Sequence, residues 1–162
     1  MEKNLKMEKV FFQANQKLLS ELVGRPFRIA MKHPKWNDLY RLGFGDLSIN
    51  EYEGKKIVLC EYNLHVLCPF RIGRRKNKKE DIRVVDVYDC ETSREHFQEE
   101  ISRWYGLKVK EVKLTKENDL LLNLGECGIL FITYLDGRES WRIFRDDDQK
   151  HLVATNEALS FE

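Results

Sequence analysis

LKVKEVKLTKENDLLLNLGECGILFITYLDGRESWRIFR, residues 107–145, breaks at polar turns into four short apolar runs. The runs cover 107–114, 119–124, 128–135 and 140–144, and the turns are Lys116-Glu117-Asn118, Gly125-Glu126 and Asp136-Gly137. Apolar runs of this length between turn residues read as strands. Asp-Gly is a strong hairpin signal, because both central positions of a tight type I′ turn need positive φ. This part of the chain is therefore expected to be an antiparallel meander.

The same period continues toward the N-terminus. Residues 28–31 and 39–42 read as strands, Gly43 and Gly45 as a turn into 47–52, and Glu53-Gly54-Lys55 as a hairpin turn into 56–61. Residues 64–72 continue as a strand, with Pro69 marking an edge or a bulge. A basic loop, 74–79, leads to an extended segment at 82–88, and 151–154 is a last short strand.

Two segments carry helical spacing instead. Val10, Phe11, Ala14, Leu18, Leu19, Leu22 and Val23 form an apolar stripe, stopped by Gly24 and Pro26. Thr92 and Glu95 have capping-box spacing, Phe97, Ile101, Trp104 and Tyr105 follow on one face, and Gly106 ends the element. Two helices and many strands predict an α+β fold, with the helices packed on a mainly antiparallel sheet or two half-sheets. A chain of 162 residues is expected to form one such domain.

An internal echo adds to this. Residues 46–50 resemble 119–123, 57–62 resemble 129–134, and Phe70-Arg71-Ile72 resembles Trp141-Arg142-Ile143. The segments 46–74 and 119–145 then read as two three-stranded meanders, duplicated around a pseudo-twofold. Arg71 and Arg142 take equivalent places in that reading.

Charge and cysteines narrow the function. The net charge of +1, from 28 basic and 27 acidic residues, excludes a uniformly basic coat for nucleic acid or membrane. No run approaches the roughly 18 apolar residues that would span a bilayer, and residues 1–9 lack a secretory apolar segment. Cys60, Cys68, Cys90 and Cys127 include no Cys-x-x-Cys pair, so they are expected to be reduced thiols in a cytoplasmic protein.

Candidate sites follow from local chemistry. Arg71, Arg74, Arg75, Lys76, Lys78 and Lys79 crowd one loop and suit phosphate contacts, but no interleaved aromatics offer base stacking. Trp141 and Arg142 are residue types that anchor interfaces, although a strand tryptophan equally suits a core. His65 stands three residues before Cys68, an offset that puts the two on opposite faces of a strand, so His65 reads as a polar site without a nucleophile. No spacing calls for a metal or an organic cofactor.

The strings Leu64-His65-x-x-Cys68-Pro69-x-Arg71-Ile72 and Ser140-Trp141-Arg142-Ile143-Phe144 together resemble small bacterial α+β single-domain proteins. Some proteins of that type are encoded near toxin genes and act as immunity or accessory proteins. The resemblance implies a bacterial, non-enzymatic protein whose partner is another protein. The alternatives are a nucleic-acid-associated protein using residues 71–79 and a small enzyme around His65 and Cys68. An exposed edge strand also leaves a homodimer open.

Overall fold

The computed structural model describes residues 11–13, 16–36, 39–77, 79–148 and 150–162. Among them, twelve strands form two six-stranded antiparallel sheets. The first sheet orders β1 (Phe12–Gln13), β7 (Glu111–Leu114), β8 (Leu120–Asn123), β9 (Cys127–Phe131), β5 (Phe70–Arg74) and β6 (Arg83–Tyr88). The second orders β12 (Leu159–Phe161), β11 (Leu152–Ala154), β10 (Trp141–Arg145), β4 (Lys55–Val66), β3 (Tyr40–Tyr52) and β2 (Phe27–Lys32). This corrects the α+β expectation: among the described residues the fold is two antiparallel sheets whose buried side chains share one core, with only two short helices.

The helices are short. α1 (Lys17–Ser20) is a single turn, and α2 (Arg94–Ile101) runs on into a 3-10 turn at Ser102–Trp104. The long N-terminal helix is not formed, because Phe12 pairs with Leu114 on β7 instead. Leu19 and Leu22 still reach the core, and Gly24, at φ 88°, ends the turn by donating its N–H to the Val109 carbonyl. Val10 and Ala14 lie outside the described residues. The cap of α2 is Ser93 rather than Thr92: Ser93 Oγ accepts from the His96 N–H at 3.1 Å, and Thr92 Oγ1 accepts from the Asp89 N–H.

α2 joins the two sheets at the level of side chains. Phe97 lies 4.8 Å from the ring of Tyr40 on β3 and 5.4 Å from that of Tyr88 on β6, and Tyr40 meets Phe70 of β5 edge-on at 4.8 Å. Lys32, pointing inward from β2, donates from Nζ to the Cys90 carbonyl, and the Tyr40 hydroxyl donates to the Asp89 carbonyl at 2.6 Å. Those bonds fasten the entry loop of α2 to the second sheet.

The connections depart from a meander. β3 and β4 pair in the second sheet, whereas β5 and β6 cross to the first; β7, β8 and β9 lie in the first, whereas β10, β11 and β12 cross back. The stretch 64–72 is thus two strands, broken at Leu67, Cys68 and Pro69, where the Leu67 and Cys68 N–H groups donate to the Ser140 carbonyl. Asp136-Gly137 does turn, with Gly137 at φ 81°, but the strands on either side belong to different sheets and form no hairpin. Among the described residues, each segment of the echo places two strands in one sheet and the third in the other, so neither is a three-stranded meander. The ladders align Val66 with Phe131, since these face Trp141 and Phe70 respectively. Residues 132–134, aligned with 60–62 on sequence, lie beyond the end of β9.

β3 also runs straight through the glycines read as a turn, with a bulge between Phe44 and Leu47. A Cβ at Gly43 would come within 2.5 Å of Cys60 Sγ, and one at Gly45, where φ is 91°, within 2.7 Å of Glu61 Oε1. Glycine is required there by close approach, not by chain reversal. By contrast, Glu53 at φ 50° and Gly54 at φ 75° do form the expected tight turn.

Candidate functional site

β3 and β4 are much longer than the strands beside them. β2 pairs with β3 only from Phe27↔Phe44 to Lys32↔Tyr40, and β10 pairs with β4 only from Arg145↔Tyr62 to Trp141↔Val66. Beyond the bulge, from Leu47↔Cys60 to Tyr52↔Lys55, the two strands pair with each other alone among the described residues. The result is a two-stranded arm whose backbone edges carry no ladder partners on either side.

Cross-strand register decides what the arm displays. Ile49 faces Val58, and Leu47 lies two residues along β3 on the same face. These three are 73%, 49% and 58% exposed, and none belongs to the core cluster. On the opposite face Ser48 Oγ donates to Asp146 Oδ2 at 2.7 Å, tying the root of the arm to the end of β10. Charge is confined near the tip, at Glu51, Glu53, Lys55 and Lys56. Sequence reasoning found both strands and their turn but not this surface. The usable signal was strand length: a hairpin reaching from Tyr40 to Val66 outruns neighbours of five or six residues.

The basic loop is partly engaged. Arg71 is half-buried on β5, and the exposed Arg74 pairs with Glu100 on α2. Arg75 is stapled to the turn after β8: its N–H donates to the Glu126 carbonyl at 2.8 Å, and its Nε to the Gly125 carbonyl at 2.6 Å. Lys76 and Lys79 are exposed, and Glu80 bonds back to the Lys76 N–H and to Asn77 Nδ2. Lys78 lies outside the described residues. Arg75, Lys76, Asn77 and Lys110 border a cleft of about 300 Å³.

Trp141 does not reach the surface. It is fully buried, and its Nε1–H donates to the Asn118 carbonyl at 2.9 Å. Arg142, its neighbour, points outward and is saturated. Nε and Nη2 donate to the Glu139 carboxylate, the former at 2.9 Å, and Nη1 lies 3.0 Å from His151 Nδ1. His65 pairs with Arg142 on one side and Arg41 on the other. Burial, reinforced by Arg41, His151 and Arg142, pulls its imidazole down to about 4, so it is neutral near pH 7.

Cys68 sits in the core, where burial pushes its thiol up to about 12. A thiol held protonated and buried is a poor nucleophile, so the pairing of His65 with Cys68 loses its chemical basis. Among the described residues, no group of three or more His, Cys, Asp or Glu side chains is arranged to hold a metal ion. No helix among them is long and apolar enough to cross a membrane.

Comparison with known protein families, with curated proteins and with solved structures finds no match to this chain.

Proposed function

We propose that this chain is a non-enzymatic protein-binding module that receives an extended segment of a partner protein along the β3–β4 arm. The observation that carries the reading is the exposed strip Leu47, Ile49 and Val58 on a ribbon whose backbone edges have no ladder partner among the described residues. A two-stranded ribbon is marginal alone in water, and contiguous apolar surface is a common mark of an interaction site. An added strand would satisfy the edge N–H and C=O groups while its alternate side chains cover the strip. Exposed edges are ordinarily blunted by charge or proline, and the arm carries neither between Leu47 and Asn50. An immunity-type protein, with a toxin as the partner, is the most concrete form of this reading.

The test is affinity capture from the native cell lysate after nuclease treatment, comparing the wild type with an Ile49→Lys/Val58→Lys variant. A stoichiometric protein recovered by the wild type and lost by the variant is the expected result. Recovery of the same protein by both would move the contact off the arm. Sedimentation of the purified chain tells a second copy from a foreign partner. A dimer that the variant disperses would make self-association the function of the arm and overturn the reading.

A further inference from the structure

The cleft beside the basic loop has features that the arm does not use. Its rim carries three cations from two parts of the chain: Arg75 and Lys76 after β5, and Lys110 before β7. Among the described residues none of the three has an ion-pair partner. Nearby arginines differ, since Arg74 and Arg103 both pair with Glu100. The cleft thus brings together three cations that have no ion-pair partner among the described residues.

Arg75 is also pre-positioned. With its N–H and Nε committed to the Glu126 and Gly125 carbonyls, the planar guanidinium is fixed in place, and Nη1 and Nη2 keep their donors. The Lys110 N–H donates to the Asn123 carbonyl at 2.7 Å, and its stem passes Gly125, where an added Cβ would lie 3.8 Å from Lys110 Cγ. Leu107 and Leu124 make an apolar floor, and Glu126 is the one carboxylate in the lining. The lining itself holds three cations and one anion, with the Glu80 carboxylate at its edge on the Lys76 N–H and Asn77 Nδ2, so the cleft stays net positive.

We propose that this cleft binds a small phosphate-bearing ligand, a pyrophosphate or an organic phosphate, with the Arg75 fork on the phosphate oxygens and Lys76 and Lys110 as flanking charges. A fixed guanidinium matches phosphate oxygens two at a time, whereas lysines add charge without fixed geometry. The volume, about 300 Å³, lies at the small end of ligand pockets and suits a group of that size. No aromatic side chain lines the cleft, so it offers a stacked base nothing. The reading is independent of the arm, which lies on other strands.

The experiment is calorimetric titration of the full chain with pyrophosphate and with glucose 6-phosphate, using acetate as a carboxylate control. Saturable binding of at least one phosphate ligand is expected, with acetate inert. Lys110→Gln should weaken binding about tenfold, the effect of losing one charged hydrogen bond. Glu126→Gln, which removes the opposing charge, should tighten it. Lys110 and Glu126 are surface positions, so both variants should keep the wild-type thermal midpoint, and Arg75→Gln is used only if its midpoint is also kept. Binding unchanged in both Lys110→Gln and Glu126→Gln would overturn the assignment. So would the absence of phosphate binding while a single-stranded RNA binds with a steep salt dependence, since the basic loop would then serve a polynucleotide backbone.

Discussion

Arg71 and Arg142 occupy the same ladder position in opposite sheets. Arg71 lies between Val87 of β6 and Leu130 of β9, and Arg142 between Val153 of β11 and His65 of β4. Each follows a buried aromatic, Phe70 or Trp141, and precedes a buried isoleucine. Their surroundings nevertheless differ. Arg142 is bound by Glu139 and His151, with Glu162 3.7 Å away, whereas no ion pair to Arg71 occurs among the described residues.

That difference predicts unequal costs. Arg142→Met should destabilise the fold by about 1–2 kcal/mol, because it strands the half-buried Glu139 carboxylate, while Arg71→Met should stay within about 0.5 kcal/mol. Urea midpoints of the two variants check this, and equal losses would refute it.

His65 predicts a pH dependence. Its folded pKa, about 4, lies below the ordinary histidine value of 6.5, so the unfolded chain takes up the proton first. Stability is complete above pH 6.5 and falls as pH drops toward 4, by at most about 3 kcal/mol from this group. Arg41, Arg142 and His151 all oppose protonation, and Glu139 favours it. His151, lowered by burial and by Arg142, adds in the same direction. His65→Leu should flatten the loss between pH 6.5 and 4 in denaturant titrations; an unchanged slope would place the proton elsewhere.

Gly43 and Cys60 should be coupled. Gly43→Ala drives a Cβ toward Cys60 Sγ, with Ile29 Cβ 3.2 Å away on the other side, an overpacking worth about 1–3 kcal/mol. Cys60→Ala removes the nearest atom but leaves Cys60 Cβ at 3.1 Å, so the double variant should recover only part of the loss. Additive losses in the thermodynamic cycle would show that the two residues do not compete for the same space.

Thiol labelling should separate one cysteine from three. Burial pushes the thiols of Cys60 to about 11 and of Cys68 and Cys127 to about 12, whereas Cys90 is exposed before α2. At pH 8 the folded chain should react quickly at one equivalent, identified as Cys90 by peptide mapping, and at the other three only in denaturant. Rapid native labelling of Cys68 would revive a catalytic reading.

Much of the local structure was legible in the sequence. Short apolar or alternating runs between turn residues marked β2, β6, β8 to β11 and the outer half of β4, and Glu53-Gly54 marked a turn because positive φ at two successive residues leaves few alternatives. Phe97, Ile101 and Trp104 marked α2, since their spacing suits one buried helical face. The candidate sites were legible only in part. Six of the nine residues from Arg71 to Lys79 are basic, but that count says nothing about which of them find carboxylates. Trp141 and Arg142 are adjacent in sequence, yet one is core and the other a saturated ion pair.

Tertiary structure decided the rest. Periodicity is a property of neighbouring residues and reports which face of a strand is buried, not which sheet the strand joins. Sheet membership depends on pairing between residues far apart, such as Trp141 with Val66 and Phe70 with Phe131. The N-terminal stripe obeyed the same logic, as Phe12 found a ladder partner at Leu114 across about a hundred residues in place of a helical turn. The arm exists because two strands continue where their neighbours stop. The sequence by itself determined β2, β6, β8 to β11, the turn at Glu53-Gly54 and α2, because these rest on local sterics and on the spacing of apolar side chains. Only the tertiary structure decided the exchange of strands between sheets and the exposure of Ile49 and Val58, because both depend on what else is, or is not, brought alongside.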